Sequence, residues 1–246
     1  MRAGLLKLLA YITTVPLSVL LVFLVKKRCW RSVPWFFSYV AFALCADLAR
    51  FIFHNQRPAY FWIYWTTEAV YAVLGVGVMY EVARRVFGNL GRSWWPRLLF
   101  PAMIGVSAIL TIGRGSAVPS GLSYRTLALI ILGEIFIRFL EVIMFATLVT
   151  LVPVLGLQWR QYAFGVATGF GVYSIVALLT TTRFSVLGLN YYFSWAWASI
   201  ISYSCSVFIW LFFFSAAEKT VPPHGPSLLS FEEFNVYRKL LRRINR

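Results

Sequence analysis

Acidic residues are scarce in this chain: 8 Asp and Glu stand against 23 Lys and Arg, and only 13% of its 246 residues are charged at all. Globular chains carry about a quarter charged residues, so a water-soluble domain is excluded. Histidine is scarcer still. The two histidines, His54 and His224, are far apart, which disfavours b-type haem held by paired histidines and a zinc hydrolase that needs several histidines with Asp. No lysine lies between Tyr191 and Ala217, so a retinal Schiff base in the last apolar stretch is ruled out. There is no Gly-rich phosphate loop and no Gly-x-Ser-x-Gly-like turn near a histidine. No catalytic constellation is visible, and neither enzyme activity nor a cofactor is expected. The three cysteines, Cys29, Cys45 and Cys205, are too few and too interior for a disulfide framework, and each reads as a small buried hydrophobe.

What the chain has in abundance is apolar surface: 60% of its residues are hydrophobic and 18% aromatic. A bilayer core about 30 Å thick needs about 20 apolar residues to cross as a helix. Seven windows meet or approach that length: Leu5 to Val25, Val33 to Phe53, Tyr60 to Ala83, Leu98 to Ile112, Leu127 to Leu155, Tyr162 to Thr181 and Tyr191 to Ala217. The fourth is short, and Trp94, Trp95 and Arg97 would extend it at the interface. An all-α polytopic membrane protein with seven transmembrane helices is therefore expected over residues 1–217, with a cytoplasmic tail over residues 218–246. Lys26, Lys27, Arg28 and Arg31 follow the first window as a stop-transfer flank, so it reads as a span and not as a cleaved leader.

The net charge of +15 looks at first like a nucleic-acid footprint, but the basic residues sort by side. Fifteen fall on the face that carries the first, third and fifth connections and the tail, and six fall on the other. That asymmetry places the N-terminus outside and the C-terminus in the cytoplasm of a cell (inner) membrane, and it removes the need for nucleic acid. In the tail, Val221 to Pro226 is a stiff breaker, and Ser230-x-x-Glu233 makes a capping box for a helix over residues 230–246. Phe234, Tyr237, Leu241 and Ile244 share one face, opposed by Arg238, Lys239, Arg242, Arg243 and Arg246. Such a helix lies in the membrane interface and attracts anionic lipid. A cytoplasmic or membrane protein partner is the alternative.

The chain also echoes itself. Trp30-Arg31 opens the second window as Trp159-Arg160 opens the sixth, and Tyr60-Phe61 with Trp65 recurs as Tyr192-Phe193 with Trp197. A parallel repeat of three spans, one linker span and three spans would produce this; so would the general gathering of Trp, Tyr and Arg at interfaces. The topology resembles that of the small sugar and PQ-loop transporters. The Pro-Gln pair of the latter is absent, Pro16 being followed by Leu17, so no site residues carry over.

Ionisable groups inside a bilayer are costly, and each is a functional candidate. Asp47, Glu68 and Glu134 all fall roughly 10 to 14 Å below the outer boundary at 1.5 Å per residue. Asp47, Arg50 and His54 share one helix face, as do Glu134, Arg138 and Glu141. Neither stripe can face lipid, so both are expected to face the bundle interior, with Glu68 opposite them among Tyr64, Thr67 and Tyr71. Four carboxylates against two arginines leave two charges for protonation, a bound cation or hydration. Glu81, beside Arg84 and Arg85, is expected to form an interfacial salt bridge. Hydroxyls crowd the sixth and seventh windows, among them Tyr173, Ser199 and Tyr203; they could line the same cavity, but bonding back to their own helices or joining neighbours is the preferred expectation. Gly165-x-x-x-Gly169 permits close helix approach, to the same chain or to a second copy.

Two functions follow. One is a receptor-like or scaffold module with an outward-facing polar pocket between the second, third and fifth spans, acting through a partner; its topology resembles the seven-span input regions of bacterial sensor kinases. The other is a small-molecule or proton-coupled transporter.

Overall fold

The computed structural model describes residues 2–87, 95–114, 125–154, 162–187 and 192–215. These are all-helical: α1 (Arg2–Lys26), a 3-10 turn (Cys29–Arg31), α2 (Pro34–Phe53), α3 (Arg57–Phe87), α4 (Trp95–Arg114), α5 (Arg125–Val154), α6 (Tyr162–Leu187) and α7 (Tyr192–Ser215), with no strand among the described residues. Each apolar window of the sequence falls on one of these helices. Three helical stretches are long and apolar enough to cross a membrane: Pro34–Phe53, Tyr162–Thr180 and Trp197–Ser215. Shorter apolar runs occupy Thr13–Lys26 and Leu98–Arg114. The apolar run of α5 is broken by Glu134, Arg138 and Glu141, and that of α3 by Glu68 and Glu81. Large apolar side chains cover the outside, among them Ile112 at 77% exposure and Phe212 at 71%. This length and surface suggest a membrane location.

Helix ends explain the turns. Pro34 takes the first position of α2, where its missing N–H costs nothing and its ring presets the backbone. Arg28, with φ 52°, turns the chain out of α1 in the left-handed region. Trp30 and Arg31 therefore lie in the 3-10 turn, ahead of α2. Glu81 lies within electrostatic reach of Arg85, as its position in sequence leads one to expect, and has a second role. Its carboxylate accepts a hydrogen bond from the Phe36 N–H at 3.1 Å, supplied from α3 to the otherwise uncapped start of α2. Helix N-termini attract negative charge because their first N–H groups lack partners. Arg85 also donates to Ser32. A reciprocal device closes α7, whose last carbonyls accept from Lys27 Nζ at 2.5 Å (Phe214) and 3.0 Å (Ser215).

The helices pack in a closed circuit: α1 on α2, α2 on α3, α3 on α5, α5 on α6, α6 on α7 and α7 back on α1. α4 packs on α5 and touches α3. Burial is uneven along this bundle. Leu17 to Leu24, Phe36 to Ala43, Val78 to Phe87, Tyr162 to Phe170 and Val207 to Phe214 hold most of the fully buried apolar side chains. All lie toward the end where α1, α3 and α7 finish and α2 and α6 begin, called here the packed end. Glycine lets α6 approach its neighbours: a Cβ on Gly169 would overlap the Trp210 ring of α7, and one on Gly171 would meet Phe145 of α5 at 2.5 Å. These contacts are within the chain. Cys29 is buried as expected, but Cys45 and Cys205 are exposed, because helix rotation turns them to the outside of the bundle. The tail helix over residues 230–246, Trp94 and Trp159-Arg160 lie outside the described residues.

Candidate functional site

The half of the bundle away from the packed end encloses a cavity of about 750 Å³. The C-terminal half of α2 supplies Leu44, Asp47, Leu48, Arg50 and Phe51 to its wall, and the start of α3 supplies Tyr60, Glu68 and Tyr71. Arg138 of α5 also lines it. The sequence expectation of a pocket between the second, third and fifth spans is too narrow, however. Thr13 and Thr14 of α1, Tyr173 of α6, and Ser199, Ile200 and Tyr203 of α7 contribute as well. Glu134 and Glu141 are absent from the lining and sit behind Arg138 on α5.

Two ion-pair clusters are built into this half. In the first, Arg50 Nη2 lies 2.8 Å from Glu68 Oε1 across the α2–α3 seam. The same guanidinium donates to the Thr67 hydroxyl, from Nε at 3.1 Å, and stacks over Tyr64 with 4.7 Å to the ring centroid. A short turn after Phe53 brings this about, since it lays the end of α2 against the start of α3. In the second cluster, Arg138 Nη1 donates to Glu141 Oε2 at 3.2 Å, while Nη2 lies 3.8 Å from Glu134 Oε1. Its guanidinium also faces the Tyr173 ring at 4.4 Å. Glu141, 1% exposed, accepts a further hydrogen bond from Ser174 of α6. The side chain of Glu134 lies within electrostatic reach of Arg138, Glu68 and Arg50, between the two clusters. Arg138 Nε is buried without a partner among the described residues.

Asp47 differs from the other three carboxylates. It receives a hydrogen bond from the Thr14 side chain, and among the described residues it has no ion-pair partner within salt-bridge distance. Arg50, one turn along the same helix, is directed to Glu68 instead.

The cavity reaches the surface beside His54, Phe51, Tyr60 and Leu48, all of which are exposed. Toward the packed end it stops at rings. Tyr39, on its wall, meets Phe170 at 4.9 Å and Trp210 at 6.2 Å between centroids. Phe36 in turn stands 5.2 Å from both Trp210 and Phe214, and Phe214 stacks on Tyr162 at 4.6 Å. These buried rings fill the space beyond Tyr39 on the α2, α6 and α7 side.

No family model, curated protein or solved structure matches this chain.

The hydroxyls of α6 and α7 divide between two roles. Ser202, Ser204 and Thr180 bond back to their own helices. Ser206 does so too and also donates to the Gly169 carbonyl at 2.6 Å, joining α7 to α6. Tyr173, Ser199 and Tyr203 face the cavity. The sequence reading missed Tyr39, Thr13 and Thr14. The two adjacent threonines inside the otherwise apolar first window were the available signal.

Proposed function

We propose that this chain is a seven-span integral membrane protein of receptor-like or scaffold type, which binds a small ligand in its central cavity and passes the bound state to a partner. The observation that carries this reading is the cavity itself: the exposed Leu48, Phe51, His54 and Tyr60 line it beside the α2–α3 turn, and Tyr39 on its wall packs against the buried Phe170 and Trp210 rings. A volume of about 750 Å³ lies within the range of small-molecule sites, which run from about 300 to 1,000 Å³. Sorting the basic residues by side supports an N-terminus outside and a C-terminus in the cytoplasm, so the mouth faces outward. The ring stack links the cavity wall to the α7 end that Lys27 holds, which offers a packed route by which occupancy reaches the inner face. At that face, the basic tail would meet anionic lipid or the partner.

One observation favours transport as a second reading. The main ring of helix pairings maps onto itself under exchange of α1 with α5, α2 with α6 and α3 with α7: the α1–α7 contact corresponds to α5–α3, α1–α2 to α5–α6 and α2–α3 to α6–α7, while α3–α6 and the contacts of α4 have no comparable counterpart. A parallel repeat of this kind is the framework of some alternating-access carriers.

Reconstitution tests both. In proteoliposomes, a cysteine-free variant carrying Ile200→Cys should react with a membrane-impermeant maleimide from the side of the α2–α3 turn alone. The protein should dissipate no pH gradient and accumulate no member of a solute panel. Labelling from both compartments, or flux abolished by Glu68→Gln, overturns the binding-only reading in favour of transport.

A further inference from the structure

The geometry points to an organic cation as the cavity's ligand, with Asp47 as its counter-ion and the Tyr71 and Tyr203 rings as walls of its binding box. This assignment rests on the cavity being a ligand site and names the class of ligand it takes.

Charge within the cavity is the first ground. Arg50 is engaged by Glu68 at 2.8 Å, and Arg138 by Glu141 at 3.2 Å with Glu134 behind it. Both lining guanidiniums thus already have carboxylate partners. Asp47 keeps the Thr14 hydroxyl, which can orient a carboxylate but cannot balance it, and the field of Arg50, which it shares with the ion-paired Glu68, so the three side chains together carry one negative charge in excess. A charge held in a low-dielectric wall needs an opposite charge beside it. A ligand cation provides one.

The surroundings of Asp47 are the second ground. Tyr71 and Tyr203 both lie within electrostatic reach of its carboxylate, and both line the cavity, where the Tyr71 ring also has the Arg50 guanidinium 5.8 Å from its centroid. Aromatic faces attract ammonium groups through their quadrupole, and a carboxylate set among rings is the usual box for amines and quaternary ammonium ions. A metal ion fits less well. No group of three or more His, Cys, Asp or Glu able to hold one occurs among the described residues. A proton alone would neutralise Asp47 without needing a space of about 750 Å³.

The third ground is the apolar part of the wall. Leu44, Leu48, Phe51 and Ile200 line the same space, and Leu48 and Phe51 are 60% and 55% exposed on the outside of α2 as well. The ligand therefore carries an apolar body behind its charged group, and the exposed Leu48–Phe51 edge offers that body a contact with the bilayer.

The test uses two fluorescent probes in nanodiscs: a dansylated alkyl amine and the matching dansylated alkyl alcohol. Wild-type protein should bind the amine at least about tenfold more tightly, the discrimination expected of a charged hydrogen-bonded contact. Asp47→Asn should erase that preference while still binding the alcohol, which also shows that the variant is folded. Tyr71→Leu should weaken amine binding more than alcohol binding. Equal binding of the two probes by wild type, or an undiminished amine preference in Asp47→Asn, overturns the counter-ion assignment and leaves the cavity reading standing. If neither probe binds although Ile200→Cys is labelled, the organic-cation assignment falls alone. If Ile200→Cys is also unreactive, the cavity reading falls with it.

Discussion

Arg50 reaches from α2 to Glu68 of α3 at 2.8 Å, and the two side chains are 21% and 12% exposed. The pair joins α2 to α3 at the cavity wall. Pairs of this kind couple by about 0.5 to 3 kcal/mol. Arg50→Ala and Glu68→Ala should each lower thermal stability in detergent, and the double variant should lose clearly less than the two losses added together. Strict additivity would mean that the pair contributes nothing to holding the seam.

The Arg138–Glu141 pair lies deeper, and the two substitutions there should be unequal. Arg138→Leu leaves Glu141 buried at 1% exposure with only the Ser174 hydroxyl as partner. Removing one member of a buried ion pair costs about 3 to 5 kcal/mol, whereas replacing both with apolar residues is often close to neutral. Arg138→Leu/Glu141→Leu should therefore unfold at a higher temperature than Arg138→Leu alone. A double variant less stable than either single one would overturn this account.

Close approach of α6 to α7 depends on Gly169, whose added Cβ would run into the Trp210 ring. Gly169→Val should destabilise by about 1 to 3 kcal/mol through overpacking. Trp210→Leu in the same chain should recover part of the loss, since it opens space at that point. Differential scanning fluorimetry of the two variants decides the matter.

Glu81 holds the start of α2 by accepting from the Phe36 N–H. Loss of a capping side chain costs about 0.5 to 2 kcal/mol. Glu81→Ala should speed hydrogen exchange at residues 35 to 37 and lower the melting temperature, while Arg84→Ala should do neither. Equal effects of the two substitutions would return Glu81 to the surface salt-bridge role that its position in sequence implies.

The exposed cysteines give a direct check on the membrane location. Cys45 and Cys205 face outward and Cys29 is buried. In liposomes, a small apolar maleimide should modify Cys45 and Cys205 far faster than a charged maleimide does, and Cys29 should resist both until the protein is unfolded. Rapid reaction of Cys45 and Cys205 with the charged reagent would place those faces in water.

Much of this was legible one residue at a time. A shortage of charge and an excess of apolar residues determine an all-helical chain of membrane-crossing length, because an apolar stretch in lipid must satisfy its own backbone hydrogen bonds. Spacing by three and four determines that Asp47 and Arg50 share a face, and that Glu134, Arg138 and Glu141 share another, since that periodicity is local to one helix. What spacing cannot supply is the rotation of each helix and the identity of its neighbours, which depend on contacts far apart in sequence. Only the tertiary structure decided that Arg50 hydrogen-bonds Glu68, that Glu81 serves a helix end as well as an arginine, and that Cys45 and Cys205 turn outward. It also decided that α1, α6 and α7 complete the cavity wall, and that rings from α2, α6 and α7 stop it at one end. A cavity is a property of the closed circuit of helices, and no single helix encodes it.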